Sequence, residues 1–253
     1  MNAVDAMPLP RLVRIYAADA GYEFLRLLRA PSASVPMLAF PAMFYLLFGV
    51  MFGHHGVQQA TYVLGSMAAF GVMAPGLFGF GVVVAIERER GLLALKRALP
   101  VPPGAYLFAK MAMAMLFAAL IFAILAVLAT TAGEVHLAAA QWSRLLLVML
   151  LGVLPFCALG LLIGTLVSGQ AAAMVANLVY LPLSFLSGLW VPLDAMPHLM
   201  RAVAPLWPAY HLGRLCLQAV GMVHGPALPY AAALAGYALV FFGLAVRRLR
   251  RHG

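Results

Sequence analysis

The sequence predicts an all-α membrane protein with six transmembrane helices. Three observations carry that reading. Of the 253 residues, 65% are hydrophobic and only 9% are charged, against about 25% charged in a soluble domain. Six apolar stretches are long enough to cross a bilayer, which takes about 20 residues. The basic residues flank those stretches instead of interrupting them. The mean hydropathy of +1.01 agrees. The chain, 1–253, reads as one membrane domain with no room for a sizeable soluble one. Its formal net charge of +9 belongs to the positive-inside pattern and not to nucleic-acid binding.

Residues 9–30 are not a span. Leu12, Tyr16, Ala20, Phe24, Leu27 and Leu28 recur at helical spacing, and Arg11, Arg14, Arg26 and Arg29 lie mostly off that face. That is the pattern of an interfacial helix with arginines toward anionic headgroups. Pro31 ends it. The first long apolar run starts near Val35, too late for a cleavable signal peptide, so it reads as an anchor that stays.

The spans are expected at residues 35–53, 60–86, 105–130, 142–167, 171–191 and 226–246. An even number puts both termini on one side. Thirteen of the sixteen Lys and Arg fall on that side, with only Arg144, Arg201 and Arg214 on the other. The N- and C-termini and the connection after the second span are therefore expected in the cytoplasm. Pro41, Pro75, Pro155 and Pro182 are expected to bend their helices. Gly160, Gly164 and Ser168 repeat every four residues, a spacing that suits close helix packing. Cys157 and Cys216, far apart in apolar contexts, read as packed thiols.

The connection after the second span holds a dense cluster of charge, IERERGLLALKRALPVPPGAYLFAK from Ile86 to Lys110. Over residues 87–98 only Gly91 disfavours a helix, and Pro100, Pro102 and Pro103 stop it. Such a helix would be about 18 Å long. Acids come first and bases last, in keeping with the helix dipole, and Leu92, Leu93, Leu95 and Leu99 give it an apolar side. Two readings fit: a solvated loop whose bases only fix topology, or a short amphipathic helix gripped by a partner outside the membrane.

This wording resembles the first cytoplasmic loop of type-2 ABC transporter permeases, the membrane subunits of bacterial ABC exporters. The match is Glu87, Arg88, Glu89, Gly91, Leu93, Leu95, Pro100 and Lys110; Leu92 and Ala94 stand where the family has a hydroxyl and an acid. The resemblance implies that 87–98 is a cytoplasmic coupling helix seated in a cleft of a separate ATP-binding subunit. Glu87, Arg88, Glu89, Arg90, Gly91, Leu93, Leu95, Arg97 and Pro100 would make that contact. It further implies a homodimer, or a pair with a similar permease, and ATP and Mg bound by the partner ATPase with no cofactor in this chain. Residues 192–225 resemble the family's outer segment, in which short helices dip back into the membrane. They are too apolar for a free loop and too broken by Pro197, Pro205 and Pro208 to span; an interfacial loop is the other reading.

The remaining chemistry argues from what the spans leave out. None carries an ionisable residue at its middle, and no G-x-x-x-x-G-K-[ST] phosphate loop occurs. Ion-coupled transporters place such residues at mid-membrane, and ATP hydrolysis needs such a loop. Energy for vectorial work would arrive through a contact surface. His54 and His55 lack nearby Cys or acids and read as polar caps, not a metal site.

Two stripes remain. Asn177, Tyr180, Ser184 and Ser187 share one face of the fifth span, and Phe40, Phe44, Phe48 and Phe52 recur along the first. Each reads either as packing between helices or, by the resemblance, as the substrate pathway near a dimer axis. The expectation is the permease subunit of an ATP-driven exporter in a bacterial inner membrane, among membrane lipids. Its cargo would be hydrophobic or amphiphilic: a drug, a lipid or a lipid-linked glycan. The alternatives are a non-transporting membrane scaffold or sensor subunit, and a membrane enzyme acting on lipid.

Overall fold

The computed structural model describes residues 9–52, 56–92 and 103–252. Every regular element among them is a helix. α1 (Leu9–Leu28) is amphipathic as expected. Pro31 does not merely close it but sits in the first turn of α2 (Pro31–Met51), where the missing N–H costs nothing. The first span therefore starts ahead of Val35. Its last turns, Tyr45–Met51, widen into a π-helix.

α3 (Gly56–Glu89) has 34 residues, a length of about 51 Å against a hydrocarbon core of about 30 Å. It therefore continues well beyond the expected 60–86. Pro75 opens a π-helical stretch, Pro75–Val82, which is how the chain absorbs that proline. α4 (Pro103–Thr131) matches the third span. α5 (Ala139–Leu166) is interrupted between Gly152 and Leu154, just before Pro155. α6 (Gly169–Leu186) is capped by Ser168, whose Oγ accepts the Ala171 N–H at 3.4 Å. It stops short of the expected 191 because Gly188 takes φ +77°, the left-handed turn that glycine tolerates best. After α7 (His198–Val203) and α8 (Pro208–Ala219) comes the last span, α9 (Leu228–His252).

α3 is the axis: 78% of its apolar window is buried, against 11% for α9. Its π-helical stretch packs on the second half of α5 through glycines on both sides. A Cβ on Gly81 would lie 2.5 Å from the Gly160 Cα, and one on Gly164 would lie 2.6 Å from the Gly81 oxygen. The expected glycine packing face thus has α3 as its partner. α1 lies against α4, with Phe24 and Phe117 rings 5.2 Å apart.

The segment before α9 is tied to the bundle at two depths. Leu212 of α8 fills the space beside Gly152, the midpoint of α5. The Tyr237 hydroxyl, well inside α9, donates to the Leu206 carbonyl at 2.7 Å. At the other end of α8, Gln141 Nε2 near the start of α5 donates to the Val220 carbonyl at 3.2 Å. α8 therefore climbs from halfway along the bundle to the end opposite Glu87.

Candidate coupling site

The charged motif does not begin a free helix. Glu87, Arg88 and Glu89 form the last turn of α3, and Gly91 at φ +71° turns the chain away. The start expected at Glu87 is thus corrected: the glycine that only weakened a helix on paper supplies the left-handed end of α3, and residues 93–98 of the expected helix lie outside the described residues. Arg90 and Gly91 are exposed. Leu93, Leu95, Arg97 and Pro100 lie outside the described residues, as do His54 and His55.

Glu87 points inward. It is 1% exposed and accepts hydrogen bonds from Arg26 Nη1, from the Tyr106 hydroxyl at 2.6 Å and from Lys110 Nζ at 3.2 Å. Lys110 is fully buried and also pairs with Glu23 at 2.6 Å. Two acids and two bases from α1, α3 and α4 so neutralise one another, the condition under which buried charge is tolerated. The hydrogen bond to Glu87 raises the Arg26 pKa further above its ordinary value, against the opposing effect of burial. Arg26 therefore brackets α1 to the end of α3. Beside the cluster opens a cleft of about 260 Å³ lined by Asp19, Tyr22, Glu23, Arg26, Tyr106 and Ala109.

The next two residues hold helix ends. Arg88 donates to the carbonyls of Thr165 at 2.7 Å and Val167 at 2.9 Å, and Arg248 Nε joins it on Thr165 at 3.1 Å. Glu89 Oε2 accepts the Gly169 N–H at 2.8 Å. The last carbonyls of α5 lack helical partners and carry partial negative charge; the first N–H groups of α6 are their positive counterpart. An arginine on the former and a carboxylate on the latter match charge to each helix end through strong, charge-assisted bonds. Three consecutive residues thus fasten α3 to α1 and α4, to α5, and to α6.

The two stripes meet. Phe44 lies 6.0 Å from Phe48, 5.9 Å from Phe70 and 4.7 Å from Trp190, ring to ring. Phe70 stacks on Tyr180 at 4.9 Å, and the Tyr180 hydroxyl donates to the Phe70 carbonyl at 3.3 Å. Tyr180, Ser184 and Ser187 are buried, with Ser184 returning its hydroxyl to Leu181 at 2.8 Å. Asn177 and Phe40 remain exposed. Sequence periodicity missed Phe70 and Trp190, because α3 is apolar on every side and Trp190 lies past the end of α6. It also missed Glu23, whose only signal is a charge among apolar neighbours, and Arg248, which is not set apart from the other arginines of the tail.

Residues 18–219 match the ABC-2 type transporter family. Over 194 residues, 76% of this chain and 79% of the relative, the sequence is 30% identical to the "Putative transport permease YvfS" of Bacillus subtilis. Among the described residues six helices are long and apolar enough to cross a membrane, in keeping with such a membrane subunit. The chain belongs to the ABC-2 type transporter family and is a permease subunit, of a kind that works with an ATP-binding partner.

Proposed function

We propose that the chain is the membrane half of an ATP-driven exporter in a bacterial inner membrane, paired with a second copy of itself and with two copies of a separate ATPase. The reading rests on the fan of bonds from Glu87, Arg88 and Glu89. The ATPase would grip the stretch that starts at the exposed Arg90 and continues in sequence through Leu93, Leu95, Arg97 and Pro100. Closure of the ATPase would then press on the end of α3. Glu87 would pass that displacement to α1 and α4, Arg88 to α5, and Glu89 to α6. Charge-assisted bonds to helix ends suit this role because they resist both pulling and sliding.

The excess of bases at the Glu87 end supports a cytoplasmic placement of that end and of both termini. α7 and α8 would then form an outer re-entrant segment, covered by protein as backbone at membrane depth must be. The ring cluster of Phe44, Phe48 and Tyr180, flanked by exposed Phe40 and Asn177, would line one wall of the pathway, with Ser184 and Ser187 behind it. Such a wall suits a hydrophobic or amphiphilic cargo. The test is reconstitution of the chain and its ATPase in vesicles with a fluorescent phospholipid as probe. Movement of the probe should require ATP hydrolysis and persist when the proton gradient is collapsed. Movement that follows the gradient, or none while hydrolysis proceeds normally, would overturn the reading.

A further inference from the structure

α8 and the residue before it carry a file of polar side chains with atoms left unsatisfied among the described residues. His211, Arg214 and Gln218 follow one another by three and four residues, so they share one face of α8, and Trp207 is the residue just before its first turn. Among the described residues, each of the four has a buried side-chain polar atom without a hydrogen-bond partner: Trp207 Nε1, His211 Nδ1, Arg214 Nε and both amide atoms of Gln218; the other ring nitrogen of His211 meets the Pro205 carbonyl at 2.9 Å. Buried polar atoms are satisfied in the great majority of cases, so a continuous run of exceptions on one face is a feature of function more than of packing.

Arg214 sets the chemistry. Among the described residues no carboxylate forms an ion pair with it. Asp194 and Arg214 both act electrostatically on Tyr62 without meeting each other. The Arg214 guanidinium lies 5.9 Å from the Tyr230 ring centre, a contact that stabilises a cation but does not neutralise it. Trp207 and Arg214 can only donate, and Gln218 adds an amide donor. A cation among donors calls for an anion, and the planar guanidinium fork favours phosphate or carboxylate oxygens. Around the file stand apolar ring faces: Tyr210, Tyr230 and Tyr237 lie 5.3, 5.9 and 6.1 Å from His211. Such surroundings suit the hydrocarbon part of an amphiphile.

We infer that this face of α8 binds the phosphate ester of an amphiphilic molecule, with Arg214 as its charge partner and Trp207 and Gln218 as neutral donors. α9 packs over the face through Tyr230 and Tyr237, so the ligand enters when α8 and α9 part. The site stands apart from the Glu87 fan, at the opposite half of the bundle. It does not depend on the direction of transport or on its energy source.

The test is native mass spectrometry of the purified full chain. The probes are phosphatidylglycerol, for a bilayer lipid, and farnesyl phosphate, for a single-chain phosphorylated cargo. Diacylglycerol and farnesol are the phosphate-free counterparts. Wild type should retain at least one phosphorylated probe several-fold better than its counterpart; which of the two it retains tells lipid from cargo. Arg214→Gln should remove the preference, and Arg201→Gln, at an exposed arginine, should leave it intact. Gln218→Glu provides a second variant that keeps the size of the side chain. It places a carboxylate one turn from Arg214, where it should neutralise the cation and expel the phosphate. Retained preference in Arg214→Gln or Gln218→Glu, equal loss in Arg201→Gln, or displacement of both probes by their phosphate-free counterparts would overturn the inference.

Discussion

Glu89 and Gly169 stand 80 residues apart, yet the carboxylate of one accepts the backbone N–H of the other at 2.8 Å. The contact exists because residue 169 has no side chain. A Cβ there would lie 2.6 Å from Glu89 Oε2 and 2.8 Å from the Ile86 Cα. Gly169→Ala should therefore cost the cap, about 1 kcal/mol, and about 1–3 kcal/mol of crowding besides. Gly236→Ala, where nothing lies within 4 Å of the added carbon, should be close to neutral. Thermal unfolding of the two variants in detergent compares them directly; equal melting temperatures would mean that α3 and α6 are not braced here.

The buried Lys110 makes a second case. Lys110→Met would take a buried cation away from Glu23 and Glu87, while Arg26 stays beside both. Breaking a buried ion pair from one side costs about 3–5 kcal/mol, and a drop of that order in unfolding free energy is expected. Adding Glu23→Gln removes the acid that Lys110 meets at 2.6 Å and should restore part of the loss. A double variant no more stable than the single one would show that the two charges do not interact.

Placement in the membrane gives a third prediction. Cys157 and Cys216 are both buried, so a new exposed cysteine will dominate labelling by an impermeant reagent. His136→Cys lies on the short exposed turn after α4, and Tyr22→Cys on the exposed side of α1. In intact cells the first should label and the second should not. The opposite pattern would invert the chain.

Six spans were legible because each is an apolar run bounded by charge or proline, a signal that depends on length and composition alone. The interior of the motif was not legible. Glu87, Arg88 and Glu89 read as a hydrated cluster because charge next to apolar sequence ordinarily marks the water boundary. Their partners are backbone groups at 165, 167 and 169 and side chains at 26, 106 and 110, which no local pattern connects to them. Gly91 shows the same limit: a residue that weakens a helix and one that ends it look alike until its φ is known. Arg214 and His211 escaped for another reason. They lie on a helix too short to span, so a search of the spans for ionisable groups passed them over, although α8 starts beside the midpoint of α5.

The stripe on α6 separates into two parts with different expected behaviour. Ser184 is wholly buried, so Ser184→Phe should destabilise the protein by overpacking, about 1–3 kcal/mol, before it alters any cargo. Asn177 is exposed and, among the described residues, bonds only its own helix, to the Ala173 carbonyl at 3.1 Å. If α6 faces a second copy, Asn177→Cys should cross-link into a dimer under mild oxidation. A cross-link absent at 177 but present at Phe40→Cys would place the dimer contact on α2 instead.

Arg88 provides the decisive test of the coupling reading. Its two Nη groups reach the carbonyls of Thr165 and Val167 at 2.7 and 2.9 Å, a forked contact that a lysine cannot reproduce. Arg88→Lys keeps the charge and a single bond to the end of α5 but loses the second, so α5 can slide relative to α3. Arg248 still holds Thr165 at 3.1 Å, and the glycine contacts between the helices are untouched. Folding and membrane insertion should therefore survive, with a loss of stability of about 1 kcal/mol for one net hydrogen bond. Binding of the ATPase should also survive, because Arg88 points into the bundle and not toward the stretch that begins at Arg90. What should fall, several-fold, is the stimulation of ATP hydrolysis by cargo, since that signal must cross from α5 to α3. Arg90→Glu should do the reverse: it alters an exposed residue and should weaken ATPase copurification while leaving thermal stability unchanged. Stimulation that remains normal in Arg88→Lys, with the ATPase bound, would confine the motif to holding the helices together.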